Sequence, residues 1–115
     1  MTNLWEETLE ILDKNGKTFD DVLFIQGYDF RITKGNFEGV AKKSDYDAGY
    51  GAQRVAKDLV LVGEDWWIER NEYDGAEWWE FKSVPIRWGN VETITKLDKG
   101  MWDTIKKMNE VKENE

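Results

Sequence analysis

The chain opens on a helical pattern and then turns to strands. Leu4, Trp5, Leu9, Ile11 and Leu12 recur at the spacing of one helix face. Asn3 stands before them, Glu6 follows at near capping-box spacing, and Gly16 supplies a stop, which predicts an N-terminal helix within residues 1–16. From Val22 the period shortens. Val22 to Gln26 is a brief apolar run, after which Tyr28, Phe30 and Ile32 alternate with Asp29, Arg31 and Thr33, as on a half-buried strand. Lys34-Gly35-Asn36 reads as a turn that sends Phe37–Lys42 back as a strand. Residues 43–51 read as a loop, and Val55–Val62 as a strand ended by Gly63.

The best-defined element is a hairpin. Asp65–Tyr73 and Ala76–Val84 are aromatic-rich runs on either side of Asp74-Gly75, a pair suited to the positive φ angles of a type I′ turn. That turn sets Tyr73 opposite Ala76, Asn71 opposite Trp78, Arg70 opposite Trp79, Glu69 opposite Glu80, and Ile68 opposite Phe81. Trp66, Ile68, Arg70, Trp79 and Phe81 then share one face, read as the core side. Trp67, Tyr73 and Trp78 share the other with Glu69, Asn71, Glu80 and Lys82. Directly opposed glutamates repel unless solvent, Lys82 or a partner relieves them.

Pro85 should end the ladder. Gly89-Asn90 is a turn, Val91–Thr95 a last short strand, and Leu97, Met101, Ile105 and Met108 form an apolar stripe on a C-terminal helix over 98–112. Lys112–Glu115 is a polar tail. The predicted fold is α+β: an antiparallel β-sheet of about five or six strands, within residues 22–95, flanked by N- and C-terminal helices in a single domain spanning 1–115.

Composition narrows the chemistry. Absent cysteine and histidine exclude disulfides, Cys- or His-based metal sites and nucleophile–histidine catalysis. No cofactor or metal is expected, and no enzyme. Asp45-x-Asp47-x-Gly49 is not a calcium loop, because Ala56 stands where a bidentate glutamate is required. The N-terminus has no signal-peptide pattern and no apolar run is long enough to span a membrane, so a cytoplasmic protein is expected. The net charge of −8 opposes direct binding to nucleic acid or to anionic lipid and favours a basic protein partner or a local arginine pocket. Seven tryptophans exceed what so small a core accommodates, which points to indoles at an interface or ligand site and to a homo-oligomer.

Arginine beside indole suits a phosphorylated planar ligand, the guanidinium taking phosphate and the ring stacking on a base. Trp67, Trp78 and Trp88 with Arg54, Arg70 and Arg87 are the candidate ligand-binding residues. Tyr50 joins them from the glycine-containing loop Asp47–Arg54, whose backbone could approach phosphate. The same arginine–indole pairs also occur as ordinary cation–π packing, and the same glycines as a tight connection.

The segment running from Asp58 through Val62, Trp66-Trp67-Ile68-Glu69-Arg70 and Asp74-Gly75 to Phe81 resembles small proteins of unassigned function encoded by phages and prophages of Gram-positive bacteria. The resemblance implies an accessory protein that inhibits host defence by binding. The leading expectation is therefore sequestration of a small phosphorylated immune signal, of cyclic-nucleotide or ADP-ribose type. The alternatives are an acidic nucleic-acid mimic that inhibits a basic host defence nuclease, and a phage structural or assembly subunit.

Overall fold

The computed structural model describes residues 1–110, which divide between two compact units, the first Met1–Pro85 and the second beginning at Ile86. The first unit is α+β. In chain order it holds β1 (Thr2–Asn3), α1 (Leu4–Lys14), a 3-10 turn (Phe19–Asp21), β2 (Phe24–Gln26), β3 (Arg31–Ile32), α2 (Lys34–Ala41), β4 (Asp45–Tyr46), β5 (Val60–Val62), β6 (Trp66–Tyr73) and β7 (Ala76–Ser83). An antiparallel sheet of order β3-β2-β5-β6-β7 forms its frame, with a small β1-β4 sheet beside it.

Period-two patterning sorts the large sheet into two faces. Ile32, Ile25, Leu61, Ile68 and Phe81 are aligned across all five strands, giving one continuous apolar rung. Ile25, Leu61 and Ile68 are fully buried there, each contributing roughly 1.5–3 kcal/mol of hydrophobic stabilisation. Leu4 and Leu12 from α1 and Phe37 and Ala41 from α2 complete this core. The next rung, Gln26–Val60–Glu69–Glu80, faces the other way and is nowhere fully buried.

Helix α1 begins where the capping pattern places it: the Asn3 side chain accepts the Glu6 N–H at 3.1 Å, and the chain turns out of the helix at Gly16, φ +71°. The hairpin register is the predicted one, pair by pair, with Asp74 and Gly75 both at positive φ.

Four elements of the first unit differ from their sequence pattern. Asp45–Tyr46, inside the segment 43–51 read as a loop, forms β4 and pairs with β1. Phe37–Lys42 belongs to helix α2 and the C-cap that follows it, not to a strand. Thr33 accepts the Asn36 N–H and caps that helix, and Phe37 and Ala41, four apart, bury on one side of it. Tyr28 and Phe30 are exposed in the turn closed by Gly27 N–H donating to the Phe30 carbonyl, which leaves Arg31–Ile32 as strand. The strand before Gly63 is confined to Val60–Val62.

In the second unit, the described part of 98–112 is helical only over Ile105–Met108, here α3, and Val91–Thr95 forms no strand. Lys99, Met101 and Trp102 have positive φ, which a right-handed helix does not admit. The Asn109 side chain ties the segment instead, accepting from the N–H groups of Thr95 and Lys96 and donating to the carbonyls of Lys96 and Ile105. The last two residues of the expected helix, and the Lys112–Glu115 tail, lie outside the described residues.

Candidate functional site

Hairpin parity gives the two faces of β6 and β7 different chemistry. On the core face Arg70 is 6% exposed and surrounded by acceptors. Its Nη1 donates to Glu7 Oε1 at 3.0 Å, and its Nη2 to Glu77 Oε2 at 2.8 Å and the Tyr46 hydroxyl at 2.9 Å. Tyr46 in turn donates to Glu7 at 2.7 Å. Glu77 also accepts the backbone N–H groups of Arg54 and Val55, at 2.6 and 3.2 Å. The guanidinium lies 4.8 Å from the Trp79 ring centroid, and the Trp79 indole N–H donates to Thr8 Oγ1 at 3.0 Å.

Burial acts to raise the Glu77 carboxyl, but the Arg54 N–H, the Arg70 guanidinium and the Val55 N–H outweigh it and hold its pKa below the carboxylate norm. Burial likewise acts against the charge on Arg70, and Glu77, Tyr46 and Glu7 more than offset it. The Tyr46 phenol is pushed up to about 12, first by burial and then by the bond it donates to Glu7. This network joins α1, β4, the 54–55 loop and the hairpin.

The outer face is half-exposed and carries a different arrangement. Trp67 on β6 donates its indole N–H to Glu69 at 2.8 Å, and Trp78 on β7 donates to Glu80 at 2.9 Å. Glu69 and Glu80 oppose each other across the ladder, so both indoles reach toward one central pair of carboxylates. Lys82, opposite Trp67, approaches Glu69 at 3.3 Å. The Trp67 bond, with help from Lys82, holds the Glu69 carboxyl below its ordinary pKa. An open cleft of about 350 Å³ lies beside this centre, lined in part by Tyr28, Lys57, Asp58, Trp67 and Glu69.

The candidate ligand residues are thus distributed as follows. Trp67 and Trp78 share the outer face, four rungs apart with the Glu69–Glu80 pair midway, while Arg70 is on the core face. The Arg54 backbone serves Glu77 and its side chain is exposed; Tyr50, 79% exposed, stands in the neighbouring loop. Arg87 and Trp88 are exposed residues of the second unit. The sequence pattern alone does not identify Glu7, Tyr46 and Glu77 as partners of Arg70. One signal was available for Glu77: the register puts it on the same face as Arg70, and a core-side arginine requires a carboxylate.

Compared with known proteins, the chain matches no family model, no curated protein and no solved structure. Among the described residues no helix is long and apolar enough to cross a membrane.

Proposed function

We propose that this chain is a non-catalytic, acidic binding protein that recognises a basic protein through the outer face of its sheet. The observation that carries the reading is the Trp67–Glu69 and Trp78–Glu80 pairing. Each carboxylate accepts an indole N–H, so indole surface and carboxylate oxygens are presented together, and the cation beside them, Lys82, is already paired with Glu69. Such a surface attracts Lys and Arg, by charge through the acids and by cation–π contact through the rings. The excess of acid lies within Met1–Pro85, while acids and bases balance over 86–115, which concentrates the attractive field on the sheet-bearing unit. With the resemblance of Asp58–Phe81 to phage proteins, this favours inhibition of a host defence nuclease by occupation of its basic nucleic-acid groove.

The test is cleavage of double-stranded DNA by purified defence nucleases, with wild type and the Glu69→Gln/Glu80→Gln variant. Salt-sensitive inhibition by wild type that the variant loses supports the reading. Equal inhibition by both proteins, or none across the panel, overturns it.

A second reading, sequestration of a small nucleotide-type signal, draws on the cleft beside Tyr28, Lys57 and Trp67. It ranks lower because Asp58 and Glu69 line the same cleft and would repel phosphate, while the Arg70 guanidinium is engaged with Glu7 and Glu77. Native mass spectrometry of protein taken gently from cells with active nucleotide signalling tests it. A phosphate-containing ligand at fixed stoichiometry would restore it to first place.

A further inference from the structure

Strand β7 is the edge of the five-stranded sheet and, with β6, its longest strand. Hydrogen-bond parity along it is set at both ends. The Glu77 N–H points away from β6 and donates to the Ala48 carbonyl at 2.8 Å, whereas the Val84 N–H points inward to the Asp65 carbonyl at 2.8 Å. The backbone groups of Trp79, Phe81 and Ser83 therefore point outward, and among the described residues nothing bonds to them. Trp78 and Trp79, from opposite faces of the strand, line one cleft of about 290 Å³ with α1, so that cleft runs along the outer edge. An unpaired edge of this length is a template for another strand.

The side chains select which strand. We propose that β7 pairs antiparallel with β7 of a second copy, centred on Phe81, so that two five-stranded sheets become one continuous sheet about a two-fold axis. In this register Phe81 faces the partner's Phe81, and Trp79 and Ser83 exchange main-chain hydrogen bonds with the partner's Ser83 and the partner's Trp79. On the outer face Glu80 meets the partner's Lys82, and Trp78 meets the partner's Val84, which is exposed in the single chain. Glu80 has no cation at home, and the exposed ammonium of the partner's Lys82, which already pairs with a glutamate of its own chain, would be shared between the two carboxylates. The ladder also ends cleanly. The next pair would set Glu77 against the partner's Pro85, but the Glu77 N–H is already bound to Ala48 and proline has none to offer.

Neighbouring registers fail on the same residues. Centring on Glu80 opposes like carboxylates and requires the Glu77 N–H that Ala48 holds. Centring on Lys82 opposes like ammonium groups and places Pro85 against Trp79. A two-fold interface must be self-complementary, and the Glu80–Lys82 spacing provides that only about Phe81.

The experiment is sedimentation equilibrium on the full chain, with circular dichroism to verify folding. Wild type is expected to dimerise, and Glu80→Lys or Lys82→Glu alone to weaken the dimer about tenfold or more by opposing like charges twice. The double swap Glu80→Lys/Lys82→Glu should restore it. Mixing the two single variants should give a heterodimer by native mass spectrometry, because each then supplies the charge the other needs. A wild type that stays monomeric at every concentration overturns the proposal and leaves the edge to a strand of another protein. A dimer indifferent to both the swap and the mixing overturns the register. Neither outcome depends on nuclease inhibition, which is read separately.

Discussion

Arg70 and Glu77, on adjacent strands of one hairpin, form a 2.8 Å ion pair from which water is almost wholly excluded. Neither residue can be removed alone without taking a buried ion-pair partner from the other. Arg70→Ala leaves Glu77 and Glu7 facing each other in a buried space and is expected to cost about 3–5 kcal/mol. Replacing both, as Arg70→Met with Glu77→Gln, should cost clearly less than the two single changes added together. Urea unfolding of the three variants measures the difference, and strict additivity would refute the coupling.

The same network sets the pH range of stability. The Glu77 carboxyl lies below its ordinary value of 4.5 in the folded chain. The unfolded state therefore takes up the proton first as pH falls. The contribution of Glu77 is complete above about 4.5 and is lost as pH drops through the folded pKa. Tyr46 has the opposite sign: its pKa rises from 10.0 to about 12, so its contribution holds below about 10 and is lost as pH climbs toward 12. Urea midpoints across pH should fall at both ends, and Tyr46→Phe should flatten the alkaline limb. An unchanged alkaline limb in that variant would assign the loss elsewhere.

Gly63 is held by packing rather than by backbone conformation. A Cβ built there collides with the Trp66 indole, whose ring stacks on Phe81 at 5.6 Å. Gly63→Ala must push that ring out of the core, and a loss of about 1–3 kcal/mol is expected. Thermal unfolding with near-UV circular dichroism would report both the destabilisation and the displaced indole.

Thr8 is a polar residue at 0% exposure within the apolar face of α1. Its hydroxyl donates to the Leu4 carbonyl at 2.7 Å and accepts the Trp79 N–H at 3.0 Å. Thr8→Val keeps the shape and strands the indole donor, which should cost about 1–3 kcal/mol. A variant as stable as wild type would mean that Trp79 is held by its ring contacts alone.

Where local chemistry was sufficient, the residues declared the structure in advance. Asp74-Gly75 can satisfy positive φ at both turn positions, and period-two alternation then assigned the tryptophans of β6 and β7, with Ile68, Arg70 and Phe81, to their faces. Asn3 with the following apolar stripe did the same for α1. These signals act over a few residues and need no knowledge of the rest of the chain.

What tertiary contact decided lies elsewhere. Phe37–Lys42 reads as a strand by its pattern, and the helix was decided by the burial of Phe37 and Ala41 together in the core, with the local Thr33 cap starting it. The fate of Arg70 was equally beyond local reading. Placing it beside Trp79 leaves open a ligand-facing guanidinium, and only the convergence of Glu7 from α1, Tyr46 from β4 and Glu77 from β7 turns it inward. By itself the sequence settled the elements whose hydrogen bonds and turns are local. The fold decided where charge resides, because a buried ion pair exists only once residues distant in the chain exclude water together.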